Sequence, residues 1–242
     1  MSEPLLKQDV GAVRVLTMNR AEKRNALNTA LTRALFDALR ASDEDEAVRC
    51  VVLTGAGQAF CAGADLAEFK DLTPEKQPLV EERAELTMQL HLAFSKMAKP
   101  VVTAINGAAL GGGAGLAIAG DLAVMARSAK IGYPETRHGI VAAIVMANLV
   151  RQTGRKRAFE LVSLGESFTS QQALAYGLVN RVVPDGDLLP ETLVLAEKLS
   201  KTQKEALTET KKLFHKAADL SLEEALKLGR EVNQRMRAFR QE

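Results

Sequence analysis

Two periods of apolar and polar residues succeed one another along the chain. AVRVLTM (12–18) alternates and is rich in β-branched residues, which predicts a strand. Asn28 precedes Leu31, Leu35 and Leu39, spaced as on one helix face, so a helix capped by Asn28 is predicted. VRCVVLTG (48–55) and KPVVTAIN (99–106) are short apolar runs of the kind that form buried strands. Between them, Leu86, Leu90, Phe94 and Met97 mark one face of a helix over 80–97. A glycine loop with a short helix follows, then a strand over 121–126. IGYPETRHG reads as a loop, IVAAIVMANLV as a buried helix, RKRAFELVSLG as a helix closed by Gly165, and 178–184 as a last strand. From Leu188 the pattern is helical, with Pro190 in a first turn. Leu222, Leu226, Gly229, Val232, Met236 and Phe239 fall on one face of the final helix.

Strands alternating with helices predict an α/β core of βα units. The expected division is a core over 1–187 and a helical region over 188–242. The apolar face of the last helix fits either its own core or a second subunit.

Composition narrows the partners. The 242 residues are 47% hydrophobic and 26% charged, with net charge +2. No basic block stands out, and there is no Trp and only two Tyr for base stacking, so no nucleic-acid partner is expected. MSEPLLKQDVG lacks the apolar segment of a signal peptide. The longest mostly apolar stretch (139–150) contains Asn148 and falls short of the ~20 residues that span a bilayer, so no membrane partner is expected either. Cys50 and Cys61 make no disulfide framework; reduced thiols and a cytoplasmic location are the simplest reading. His91, His138 and His215 lack metal-ligand spacing, so no metal site is expected.

The candidate chemistry lies in ALGGGAGLAIAGD (109–121). A nucleotide-triphosphate loop would end in Gly-Lys-Ser/Thr, but Asp121 follows Gly120. A dinucleotide fingerprint begun at Gly111 fails at its sixth place, Leu116. Close packing of helix on strand is one remaining use of these glycines. The other is an anion hole: a strand enters, the chain turns through glycines, and the free N–H groups of a helix start face outward. FCAGAD (60–65) leaves a buried strand through small residues in the same way, so each loop has one N–H to offer to one developing oxyanion.

FCAGADLAEF, KPVVTAINGAALGGGAGLAIAGD, KIGYPETRHGI and GESFTSQQALAYGLVNRVVP, in this order and spacing, resemble the crotonase, or enoyl-CoA hydratase/isomerase, superfamily. The resemblance implies a spiral of ββα units with a helical C-terminal region, assembled as a homotrimer or hexamer. It implies acyl-CoA thioester substrates and no cofactor, coenzyme A being part of the substrate. The N–H groups of Ala64 and Gly112 would form the oxyanion hole. Ala62, Asp65 and Leu66 would meet the adenine, and Lys23 and Arg24 the CoA phosphates. Asp121 reads as structural, a carboxylate satisfying backbone donors at a strand start. Cys61 reads as a small apolar filler.

Hydratases of the superfamily use two glutamates. One corresponds to Glu135, in GYPET, before the apolar run Ile140–Val145, whose surroundings would raise its pKa as suits a general base. The other position is Gly115. A single base suffices to move a double bond from the 3,4 to the 2,3 position, and ETRHGIVA is similar to the single-glutamate isomerases. Double-bond isomerisation is therefore the first expectation. Hydration with a substituted polar group, or CoA binding without catalysis, are the alternatives. Tyr133, His138, Glu68, Asp71 and Glu85 are candidates for that group. Gly115 itself is expected to leave space in the acyl pocket, since packing alone would tolerate alanine there.

Overall fold

The computed structural model describes residues 3–239. Strands β1 (Leu5–Val10) and β2 (Val13–Met18) form a hairpin, followed by α1 (Thr29–Glu44). Asn28 caps α1 by accepting from Leu31 N at 2.9 Å, and Leu31, Leu35 and Leu39 are fully buried, as their spacing predicts.

Three turns of a spiral follow. In each, a strand of a large sheet is succeeded by a short strand of a second sheet. The pairs are β3 (Cys50–Gly55) with β4 (Ala59–Cys61), β5 (Val101–Ile105) with β6 (Ala108–Leu110), and β7 (Leu122–Ala126) with β8 (Lys130–Gly132). Helices α2 (Leu66–Asp71) and α3 (Gln77–Lys96) join the first turn to the second, and α4 (Gly112–Ala117) joins the second to the third. After β8 come a 3₁₀ turn (Pro134–His138), α5 (Met146–Leu164), β9 (Ser167–Thr169), α6 (Ser170–Ala175) and β10 (Arg181–Val183). Helices α7 (Leu188–Ser200), α8 (Lys204–Ala217) and α9 (Leu222–Arg235) complete the chain, with a last 3₁₀ turn after α9.

The large sheet has the order β1-β2-β3-β5-β7-β10, antiparallel only at its first pair. The small sheet has the order β4-β6-β8-β9. β3 and β5 are buried at every position, which explains their unbroken apolar sequence. Two neighbouring loops, one after β4 and one after β6, thus emerge from adjacent parallel strands.

The structure departs from the sequence pattern in places. The sequence pattern does not show β1, β4, β6, β8, β9, α2 or α6. IVAAIVMANLV is not one buried helix: α5 begins only at Met146, and Val141 is exposed. On the last helix, Leu222, Leu226 and Met236 stay exposed rather than packing on their own core. The side chain of Phe239 lies outside the described residues.

Asp121 is structural, as its position suggests. It accepts from Val101 N (2.7 Å) and from Lys211 Nζ (2.8 Å) and contacts His215 Nε2 at 3.1 Å, tying α8 to the strand edge.

Candidate active site

The loop after β4 is fixed from both sides of Ala64. Leu27 N donates to Gly63 O (2.7 Å), and Asp65 N donates to Leu27 O (3.2 Å). With its neighbours bonded to Leu27, Ala64 presents its own N–H elsewhere, and that N–H donates to no group among the described residues. Arg20 braces the loop through an ion pair with Asp65 (2.8 Å), and buried Asn25 donates to Ala59 O (2.8 Å).

The loop after β6 turns at Gly111, whose φ of +52° is a left-handed value that favours glycine. A methyl group on Gly111 would also stand 2.9 Å from Glu135 Oε1. At Gly113, a methyl group would lie 2.1 Å from the Cys61 carbonyl oxygen, so only glycine lets α4 seat on β4. Gly111 N donates to Gly132 O (2.9 Å), whereas Gly112 N, the first in α4, has no backbone acceptor among the described residues. The two loops meet here: a Cβ on Gly112 would be 3.9 Å from Ala64 N, and a Cβ on Gly63 would be 3.4 Å from Gly112 N. Two unengaged N–H groups therefore lie side by side, one of them on the first turn of a helix, an arrangement able to hold an oxyanion.

Glu135 is carried to these groups by the 3₁₀ turn after β8. Pro134 starts the turn and Gly139, in the left-handed region, ends it. Thr136 Oγ1 donates to Val162 O (3.1 Å) and Arg137 Nε to Leu164 O (3.0 Å), anchoring the turn to the end of α5. Glu135 is half-buried, and its Oε2 is sealed from solvent without a hydrogen-bond partner. Burial raises its pKa above the ordinary glutamate value, against smaller opposing effects of a backbone hydrogen bond and the His138 charge. A carboxyl whose pKa is raised in this way holds a proton more firmly than an ordinary glutamate, as suits a base that must also hand the proton on.

The other candidates separate. Tyr133 is fully buried beside Glu135 with an unpaired hydroxyl, and burial together with the Glu135 charge keeps it a neutral phenol. His138 is exposed at the end of the 3₁₀ turn and is not part of the buried site. Glu68 accepts from Thr29 N (2.8 Å) at the start of α1 and pairs with Arg83 (3.6 Å), so its carboxylate is committed to structure. Asp71 and Glu85 are exposed. Lys23 and Arg24 are exposed on the turn before α1, and Leu66 is exposed beside Asp65, which caps α2 by accepting from Ala67 N (3.1 Å). Ala62 donates its N–H to Arg24 O (2.9 Å), which joins that basic turn to the Ala64 loop. Cys61 is buried, its thiol pushed up to about 12 by burial, as befits an inert filler. Among the described residues no group of His, Cys, Asp and Glu is placed to hold a metal, and no helix is long and apolar enough to cross a membrane.

Gly115 overturns an expectation. Its Cβ position is not open space: it is 2.7 Å from His91 Cε1 and 2.8 Å from Val145 Cγ1. The imidazole of α3 and the valine before α5 already fill the volume that a side chain there would use. The pattern in α3 gave a weak sign of this: Met88, His91 and Ser95 form a stripe beside the buried Leu86–Leu90–Phe94 face.

The sequence profile of the enoyl-CoA hydratase/isomerase family matches residues 8–241. The chain belongs to this family. A crystal structure of an enoyl-CoA hydratase from Mycobacterium smegmatis superposes with a TM-score of 0.91 at 33% identity, covering 97% of this chain and 91% of that one. The 2,3-dehydroadipyl-CoA hydratase of Escherichia coli is 37% identical over 91% of this chain and 85% of its own length. A Thermus thermophilus protein provisionally named as an enoyl-CoA hydratase is 39% identical over 95% of this chain and 90% of its own length. As an enoyl-CoA hydratase/isomerase family member, the protein is an acyl-CoA-processing enzyme of mixed α/β fold with a helical C-terminal region.

Proposed function

We propose that this enzyme adds water across the 2,3 double bond of an enoyl-CoA thioester and removes it in reverse. The observation that carries the reading is Glu135 Oε1, poised against Gly111 beside the unengaged N–H groups of Ala64 and Gly112. With the thioester oxygen on those two donors, negative charge that develops there is stabilised as C2 gains carbanion character. Glu135 takes a proton from water as the water oxygen bonds to C3, and returns that proton to C2. The hydratase names of the relatives support hydration as the reaction. Lys23 and Arg24 supply the positive charge that suits the CoA phosphates.

A second reading, migration of the double bond, is favoured by Gly115, where the family's second glutamate is missing. Glu135 would then remove a proton from C2 of a 3-enoyl thioester and return it at C4. Initial rates on crotonyl-CoA and on a 3-enoyl-CoA decide between them. Hydration of crotonyl-CoA at ordinary enzyme rates supports the first reading; isomerisation with negligible hydration replaces it by the second.

A further inference from the structure

Among the described residues, three buried side-chain atoms lack a hydrogen-bond partner: Tyr133 Oη, Glu135 Oε2 and His91 Nε2. Buried polar atoms are normally paired, so each calls for a partner that arrives with the ligand or solvent. Two of them belong to the segment that carries the base. The third lies on α3 and has no part in the site described above.

His91 nonetheless reaches the same helix. Its Cε1, a carbon bonded to Nε2, would stand 2.7 Å from a Cβ placed on Gly115, so the ring occupies that residue's side-chain space. Gly115 N donates to Gly111 O (3.0 Å), and Gly111 is where Glu135 stands. Glu135 and His91 thus abut points one turn apart on the start of α4, about 5–6 Å along its surface. His91 also lines a cavity of about 410 Å³ together with Met88, Ser95, Ile118 and Ile144, so the same residue borders both that cavity and α4. An apolar ring would fill the space beside Gly115 without stranding a nitrogen. Glu68, Asp71 and Glu85 are committed elsewhere or exposed.

We propose that His91 is the second polar group of the reaction site, its Nε2 being the hydrogen-bond partner of the water that adds at C3 and of the 3-hydroxyl in the reverse reaction. The inference rests on the hydration reading. His91 gains and loses no proton over the cycle: the water oxygen bonds to C3, and the proton travels from water to Glu135 to C2. Burial holds the imidazole down at about 4, which keeps it neutral at physiological pH. In this account the family's missing carboxylate has been replaced from a different helix, and glycine at 115 makes room for the replacement.

Two assays on the full-length enzyme test this. Hydration of crotonyl-CoA needs the placed water. Exchange of the C2 protons of butyryl-CoA with deuterated solvent, followed by NMR, needs only Glu135 and the oxyanion hole. His91→Phe and His91→Leu both remove the nitrogen and differ in size. They are expected to lower hydration by about 10²-fold, the cost of a misplaced reactant, while C2 exchange persists. His91→Gln, which restores a polar tip, is expected to recover part of the hydration rate. Wild-type hydration in both nitrogen-free variants overturns the proposal, and so does parallel loss of exchange, which would mark His91 as packing support for Glu135. Wild-type exchange without hydration sinks the hydration reading and this inference with it. Exchange that survives Glu135→Gln would instead remove the base assignment.

Discussion

Gly115 shows how a single residue acquires opposite meanings from helix propensity and from packing. In an exposed helix, Gly→Ala stabilises by about 1 kcal/mol. Here the new methyl would meet His91 Cε1 at 2.7 Å and Val145 Cγ1 at 2.8 Å, and overpacking of that kind costs about 1–3 kcal/mol. Gly115→Ala is therefore expected to lower stability in urea unfolding, and His91→Ala in the same chain to relieve the loss. A more stable Gly115→Ala would mean that the cavity side yields freely. Glu135 offers a second sign to check. Its folded pKa is raised, so the proton is bound more tightly in the folded state, and stability is lost as pH rises from the unfolded value through the folded one. Glu135→Gln should then melt higher than wild type at pH 7, with the difference vanishing below the ordinary glutamate value of about 4.3. The same change should reduce hydration by roughly 10²–10⁴-fold. In the wild type, the acid limb of the kcat/KM profile should lie above about 4.3, since protonation disables the base.

Among the elements, α4 and α8 carry the clearest consequences. Gly112 is the first residue of α4, a place where proline is tolerated. Gly112→Pro deletes one N–H of the pair; loss of one oxyanion donor costs roughly 10²–10³-fold in kcat. Retained circular dichroism with near-normal turnover would take Gly112 out of the hole. Helix α8 is held by Asp121 through nearly buried Lys211 and through His215. Burial raises the Asp121 pKa, but hydrogen bonds from His215 and Lys211 and the Lys211 charge outweigh it, and the net shift is downward. Its stabilising effect is thus complete above the unfolded value of about 3.9 and is lost as pH falls through the lower folded value. Asp121→Ala strands the Lys211 ammonium, and breaking such a pair costs about 3–5 kcal/mol, read as a lower denaturant midpoint.

For the whole molecule, the apolar surface that remains is concentrated on helices. Phe214, Leu222, Leu226 and Met236 are exposed on α8, α9 and the turn that follows, and Phe159 is exposed on α5. Stable monomers rarely leave such faces open, and we propose that they meet other subunits in a homotrimer or hexamer. Light scattering at micromolar concentration should give a mass of three or six chains; a stable monomer would end the proposal. Leu226→Glu is expected to weaken the assembly through burial of an unpaired charge.

By itself, the sequence determined the long elements and the two loops. Asn28 with its leucines, the apolar runs of β3 and β5, and the helix ended at Gly165 are local patterns whose periods follow from backbone geometry. The glycine and small-residue loops stood out because close backbone approach leaves few residue choices, whereas Ala64, Gly112 and Glu135 were singled out within them through the resemblance to the crotonase superfamily. Three-residue strands such as β4, β6 and β8 were not legible, because they are too short to show a period and exist only by pairing with one another. His91 was hidden for a related reason. It lies 24 residues before Gly115 on an ordinary amphipathic helix, where the Met88–His91–Ser95 stripe marks it only weakly. Only the spiral, by laying α3 across α4, brings its ring into the side-chain space of Gly115 and thereby turns an apparent vacancy into a candidate second group. Local periodicity is written residue by residue, but which distant side chain fills a gap is settled by packing.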